Sequence, residues 1–309
     1  MHDELLTLSS FFEAWPLFRE SALSGALAGA LLGVLGVYVV LRRLVFLTAA
    51  VGQAAGLGVT LSFYLQGVFG LTGVLASPTI GAAVLTLLAV VLVLRAGADG
   101  HSTGRNSTRQ DSMLGVIWLV GSAGTLSLGT RIVQEMHDVQ TLLFGTAVAV
   151  VPEDYTLLLW LTATLLLVHL VGWRGFSAVS FDPQGARIRG LPVRALEWVL
   201  FISLALAVST CTGILGALPT FAFSVLPALG ALALMSMAGV GNVQRALVIA
   251  GVLGAGCGFG GYVLAYLYEL PVGASQTLLG GVVVVSLWLL GLGVQLGRRW
   301  WGRSRASVA

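Results

Sequence analysis

Residues 21–41 read SALSGALAGALLGVLGVYVVL, twenty-one positions without one charged side chain. A helix needs about 20 predominantly apolar residues to cross the hydrocarbon core of a bilayer, so this one stretch already has the length of a span. Runs of the same kind follow at residues 71–94, 155–173 and 277–296. Lipid offers no hydrogen bonds to backbone N–H and C=O groups, which leaves helices and closed barrels as spanning structures. A barrel alternates polar and apolar residues in segments of about ten. These runs are continuous instead, and the fold they predict is all-α.

Working outward, the composition agrees. Of 309 residues, 57% are hydrophobic and 9% charged, against about 25% charged in an average soluble domain. Thirteen acidic and sixteen basic residues cannot build a polar shell around a chain of this size, so the solvent is lipid. Cys211 and Cys257 lie inside apolar runs and read as small core residues rather than a disulfide. The first twenty residues carry Asp3, Glu4, Glu13 and Glu20 in place of a basic leader region, and no cleaved leader is expected.

Polar interruptions divide the chain into about nine spans, centred near residues 31, 55, 83, 121, 164, 205, 228, 256 and 286. All sixteen basic residues are arginine, and cytoplasmic loops hold the excess of basic residues. With the N-terminus outside and the C-terminus in the cytoplasm, fourteen arginines fall inside and only Arg19 and Arg131 outside. The organisation expected is a single transmembrane domain over 1–309, with an outer N-terminal segment (1–20) and a cytoplasmic tail (298–309). Gly213, Gly216 and Pro219 interrupt the long apolar stretch 199–237, and a tight outer turn there preserves the arginine count. Residues 97–110, GADGHSTGRNSTRQ, have the composition of a flexible loop. In the first span Gly25, Gly29 and Gly33 recur every four positions, a spacing that lets helix backbones approach closely.

No catalytic constellation is present: the sequence contains neither a G-x-x-x-x-G-K-[ST] phosphate loop nor H-E-x-x-H. ATP hydrolysis is therefore not expected of this chain. Polar residues within spans are costly and mark function more often than elsewhere. Gln53 in the second span and Asp111 at the inner end of the fourth are candidates for a translocation path; His169 and Glu197 read first as interfacial or interhelical hydrogen-bonding groups. In the outer loop, Glu135, His137 and Asp138 are ligand types suited to a divalent cation, although a solvated loop has the same appearance. The stretch 180–194, SFDPQGARIRGLPVR, predicts a short cytoplasmic helix. Asp182 caps it, Pro183 opens it, Gly190 stops it and Pro192 begins the next segment. Such a helix is a lever for a cytoplasmic partner or an interfacial helix anchored by Arg187 and Arg189.

From this loop the sequence resembles the membrane subunits of the ABC-3 family, zinc, manganese and iron importers related to the vitamin B12 permease. The resemblance runs from about Pro16 to Leu292. Residues 33–47 (GVLGVYVVLRRLVFL) resemble the family's first span and paired-arginine turn. Residues 111–116 (DSMLGV), 143–146 (LFGT) and 151–154 (VPED) resemble later segments, and 181–193 its Phe-Asp-Pro coupling loop. Residues 216–231, with Pro227, resemble its glycine-to-proline span, and 270–274 (LPVGA) its last outer turn. One departure stands out. Where the family carries Leu-Gly-Asp-Ala-Leu-Ser-His-Ala, residues 47–54 read LTAAVGQA, so Ala49 replaces the acid and Gln53 the histidine.

The resemblance implies a permease subunit for divalent transition metal ions, zinc first and manganese or iron next, in the bacterial cytoplasmic membrane. It implies that Phe181, Asp182, Pro183, Arg187 and Gly190 couple to a separate ATPase using ATP and Mg2+, and that Pro227 joins Gln53 and Asp111 along the path. No cofactor is expected on this chain itself. The expected partners are ATPase subunits, a periplasmic or lipid-anchored metal-binding protein, a second permease copy (identical or homologous) and membrane lipid, without nucleic acid. Two rival readings exist. An ion-coupled secondary transporter places ionisable residues near the midplane, where this chain has almost none. A non-transporting membrane subunit is favoured by the missing acid and histidine.

Overall fold

The structure is a computed structural model that describes residues 7–70, 73, 77–98, 105–132, 150–239 and 241–306. Among the described residues there are eleven α-helices and no strand. They are α1 (Leu8–Glu13), α2 (Trp15–Leu41), α3 (Val45–Phe69), α4 (Pro78–Ala98), α5 (Arg105–Gly129), α6 (Pro152–Phe181), α7 (Pro183–Ile188), α8 (Val193–Leu215), α9 (Ala217–Ala238), α10 (Val243–Tyr268) and α11 (Val272–Ala306). All but α1 and α7, nine in number among the described residues, are long and apolar enough to cross a membrane. The expected all-helical bundle of nine spans is what forms.

Helix ends follow local chemistry. Pro16 sits in the first turn of α2 and Pro152 opens α6, where a missing N–H costs nothing. Glu153 and Asp154 in the first turn of α6 complement its dipole. Asn242 caps α10, its side chain accepting from the Gln244 N–H at 2.9 Å. At the end of α2 the Arg43 N–H donates to Val40 and the Leu44 N–H to Val39. This is the bond pattern that closes a helix through a left-handed residue. Here that residue is Arg43 at φ 59° rather than glycine.

α2 is central, packing against α10 most extensively and also against α9, α6 and α8. α3 packs on α4, α5 and α8, and α11 closes the far side against α9 and α10. A large buried cluster joins α2 to α6, α8, α9 and α10 through residues such as Leu31, Leu35, Tyr38, Leu204 and Phe223. Cys211 and Cys257 are both buried and unpaired. The glycine face of α2 meets α10 directly, with Gly25 against Gly258, Gly29 against Gly254 and Gly33 against Ala250.

One detail departs from the sequence reading, residues 105–110, and three add to it. The helix of the first span begins at Trp15, inside the 1–20 segment. Residues 105–110, expected as loop, form the first turns of α5, because extending an existing helix costs far less than nucleating one. α11 runs through the arginine-rich tail to Ala306. Before the first span, α1 docks Phe11 fully buried against Tyr266 and Trp15. Between α8 and α9 a single residue, Gly216 at φ 97°, breaks the helix, as the interruption in the apolar stretch suggests.

Candidate functional site

α7 is a six-residue helix held at both ends. Asp182, the lone residue between α6 and α7, accepts the Gly185 N–H through its side chain at 2.9 Å. At the other end the Gly190 N–H donates to Arg187 and the Leu191 N–H to Ala186, with Gly190 in the left-handed region at φ 76°. Ala186 is buried with Val179 of α6 and Val193 of α8, and Leu191 packs against them. A helix this short is unstable alone; these two caps and this apolar patch hold it. The opposite surface is bare, with Phe181 63% and Ile188 88% exposed. Arg187 and Arg194 border an open groove with Pro192 and Val193. Phe181, Asp182, Pro183, Arg187 and Gly190 thus come together on one knob between α6 and α8.

Arg42, at the end of α2, reaches the base of that knob. Its two terminal nitrogens each donate to Glu197 Oε1 of α8 at 3.2 Å. It also donates to the Val179 carbonyl at 3.3 Å and to Ser180 Oγ at 3.4 Å, both on α6. The guanidinium carbon lies 5.5 Å from the centre of the Phe201 ring, within reach of a cation–π contact. Glu197 therefore does make the interhelical bond expected of it. Arg42 carries a role that the sequence reading did not give it. The only hint was its position, a charge at the end of one span and an opposite charge near the start of another, both expected on the same side.

The three path candidates are not one cluster. Gln53 packs against α5, where a Cβ added at Gly121 would lie 2.9 Å from the Gln53 Cβ. Asp111 is exposed on α5, ten residues before Gly121 and hence about 15 Å along the helix. Pro227 is buried inside α9 and faces Gly33 of α2. Glu135, His137 and Asp138 lie outside the described residues. Among the described residues no three His, Cys, Asp or Glu side chains group as a metal site. A cavity of about 330 Å³ lies between α3, α4, α6 and α8, lined by Phe63, Pro78, Thr79, Asp154, Thr210 and Ile214. His169 is buried, its Nδ1 2.9 Å from the Leu165 carbonyl and its ring stacked on Phe176 at 4.5 Å. It packs between Phe176 of its own helix and Tyr38 of α2.

An all-helical bundle with nine membrane-length helices among the described residues, and a capped helix projecting between two of them, is the architecture of a multi-pass membrane protein. The chain matches the ABC 3 transport family over residues 14–290 and belongs to it. It is 22% identical over 303 residues to the manganese transport system membrane protein MntC of Halalkalibacterium halodurans, covering 97% of each chain. It is 27% identical over 223 residues to the chelated iron transport system membrane protein YfeD of Yersinia pestis, covering 72% of this chain and 70% of that one. Among solved structures it is similar to PsaBC from Streptococcus pneumoniae in complex with Fab, with a TM-score of 0.74 at 20% identity, covering 92% of this chain and 95% of that one. That likeness establishes the shared fold.

Proposed function

We propose that this chain is the membrane permease of an ATP-driven importer for a divalent first-row metal ion. The observation that carries the reading is membership of the ABC 3 transport family over nearly the whole chain, with a manganese-system relative matching end to end. Manganese stands ahead of iron and zinc for a chemical reason as well. Carboxylate, carbonyl and water oxygens suit manganese, while imidazole suits zinc. Gln53 offers an amide oxygen where the resemblance led one to expect a histidine.

ATP and Mg2+ belong to a separate cytoplasmic ATPase, which docks on α7 through Phe181, Arg187 and the groove beside them. A second permease copy completes the pore, and an outer binding protein delivers the ion. The chain lies in the bacterial inner membrane, its N-terminus outside and its C-terminus in the cytoplasm. The test is uptake of manganese(II), iron(II) and zinc(II) by the intact complex in proteoliposomes, with and without internal ATP. ATP-dependent manganese entry is expected, and absence of ATP-dependent entry of all three ions overturns the reading.

A further inference from the structure

We propose that Arg42 is the positioning residue through which movement of α7 reaches α2; the proposal rests on the reading of α7 as the ATPase-docking helix. α7 hangs between two arms, the end of α6 and the start of α8. Arg42 grips both at once, α6 through the Val179 carbonyl and Ser180 Oγ and α8 through the Glu197 carboxylate and the Phe201 ring. Only a guanidinium has the planar, many-donor shape to do this with one side chain.

The clasp is also sheltered. The side chains of Arg42 and Glu197 are 11% and 25% exposed, so water screens the pair poorly and removing one partner leaves the other charge stranded. Behind it the anchor is stiff. Arg42 ends α2 at a turn closed by the Arg43 and Leu44 N–H groups, in which Arg43 adopts a conformation uncommon for any residue but glycine. α2 in turn is the central helix, fitted to α10 along its glycine face. A displacement of α7 therefore has two outcomes: it carries α2 with it, or it breaks the clasp. Without Arg42 the motion is absorbed in the α6–α8 pair.

The test uses the whole complex, permease, ATPase and binding protein, in proteoliposomes with manganese(II) as probe. Arg42→Lys, Arg42→Gln and Glu197→Gln are each assayed for ATPase retained on purification and for manganese moved per ATP hydrolysed. The ATPase is expected to stay bound while manganese per ATP falls about two- to thirtyfold, the span typical of residues that transmit coupling. The Arg42→Gln, Glu197→Gln double variant is expected to fall no further than the worse single, since both remove one interaction. Should Arg42→Gln not be produced, Arg42→Lys and Glu197→Gln carry the same readout, because each keeps polar groups in place.

Unchanged manganese per ATP in these variants overturns the proposal. So does a loss of uptake that merely tracks loss of bound ATPase, which would make Arg42 part of the docking surface. The Phe181→Ala, Asp182→Ala double variant, measured alongside, separates the two readings: if it keeps its ATPase in full, the docking role of α7 fails whatever Arg42 does.

Discussion

Gly29 of α2 and Gly254 of α10 stand backbone to backbone: a Cβ added to either would fall on the carbonyl group of the other. The same fit recurs one turn away on each side, at Gly25 with Gly258 and Gly33 with Ala250. Between membrane helices lipid removes the hydrophobic incentive to associate, so close van der Waals packing of small residues takes its place. Gly29→Ala or Gly254→Ala is expected to destabilise the bundle by about 1–3 kcal/mol, the usual cost of overpacking. Thermal unfolding of the detergent-purified permease measures it. Gly256, on α10 with nothing near its hypothetical Cβ, is the control. There alanine is expected to be neutral or stabilising by up to about 1 kcal/mol. Equal effects at Gly254 and Gly256 would remove the seam from the account.

How far the sequence could be read depends on the range of the interaction concerned. Spans are legible because lipid makes length and charge decisive, and nothing distant has to be known. The glycine spacing in 25–33 reveals a packing face but not its partner, and Ala250, Gly254 and Gly258 repeat the same interval without naming α2. α7 is legible from Asp182, Pro183 and Gly190 because caps act within a few residues. The Arg42–Glu197 bond joins residues 155 positions apart, and no local pattern encodes it. Residues 105–110 mislead for the opposite reason: their polar composition suits a loop, yet an adjoining helix extends through them cheaply. Gln53 is legible as a polar residue in a span, while its neighbour Gly121 becomes visible only once α3 and α5 are packed.

The nine spans among the described residues are expected to put the two termini on opposite faces, and the arginine distribution predicts the N-terminus outside. The structure adds that Arg42, Ser180 and Glu197, all assigned inside by that count, do meet at one end of the bundle. A phosphatase reporter fused after Ala309 is expected to be inactive and a fluorescent reporter at the same point bright. Phosphatase activity at Ala309 would reverse the orientation and put α7 beyond reach of a cytoplasmic ATPase.

Gln53 supplies the sharpest question about cargo. Gln53→His restores the soft imidazole that zinc prefers over an amide oxygen. If the side chain lines the path, zinc uptake relative to manganese is expected to rise on the order of tenfold, the lower end of what changes around a metal produce. Competition between the two ions in the reconstituted complex measures the ratio. A ratio that does not move, in a variant produced at normal levels, assigns Gln53 to packing against Gly121 of α5.

The docking role of α7 separates into a scaffold and a surface, and two substitutions address them in turn. Asp182 holds the scaffold: its side chain satisfies the Gly185 N–H, and Asp182→Ala is expected to cost the helix about 0.5–2 kcal/mol. A six-residue helix has little else to spend against that loss beyond the Gly190 turn and the Val179, Ala186 and Val193 patch. Phe181 belongs to the surface. It is largely exposed and supports nothing within the chain's buried clusters, so Phe181→Ala is expected to leave the permease's own unfolding temperature unchanged while weakening its hold on the ATPase. Asp182→Ala is expected to weaken that hold as well, and the double variant more than either, because shape and contact are lost together. Co-purification of ATPase with each variant, alongside the thermal stability of the permease alone, distinguishes the cases. Full retention of the ATPase by the double variant, with the bundle intact, would move the docking contact to another cytoplasmic segment.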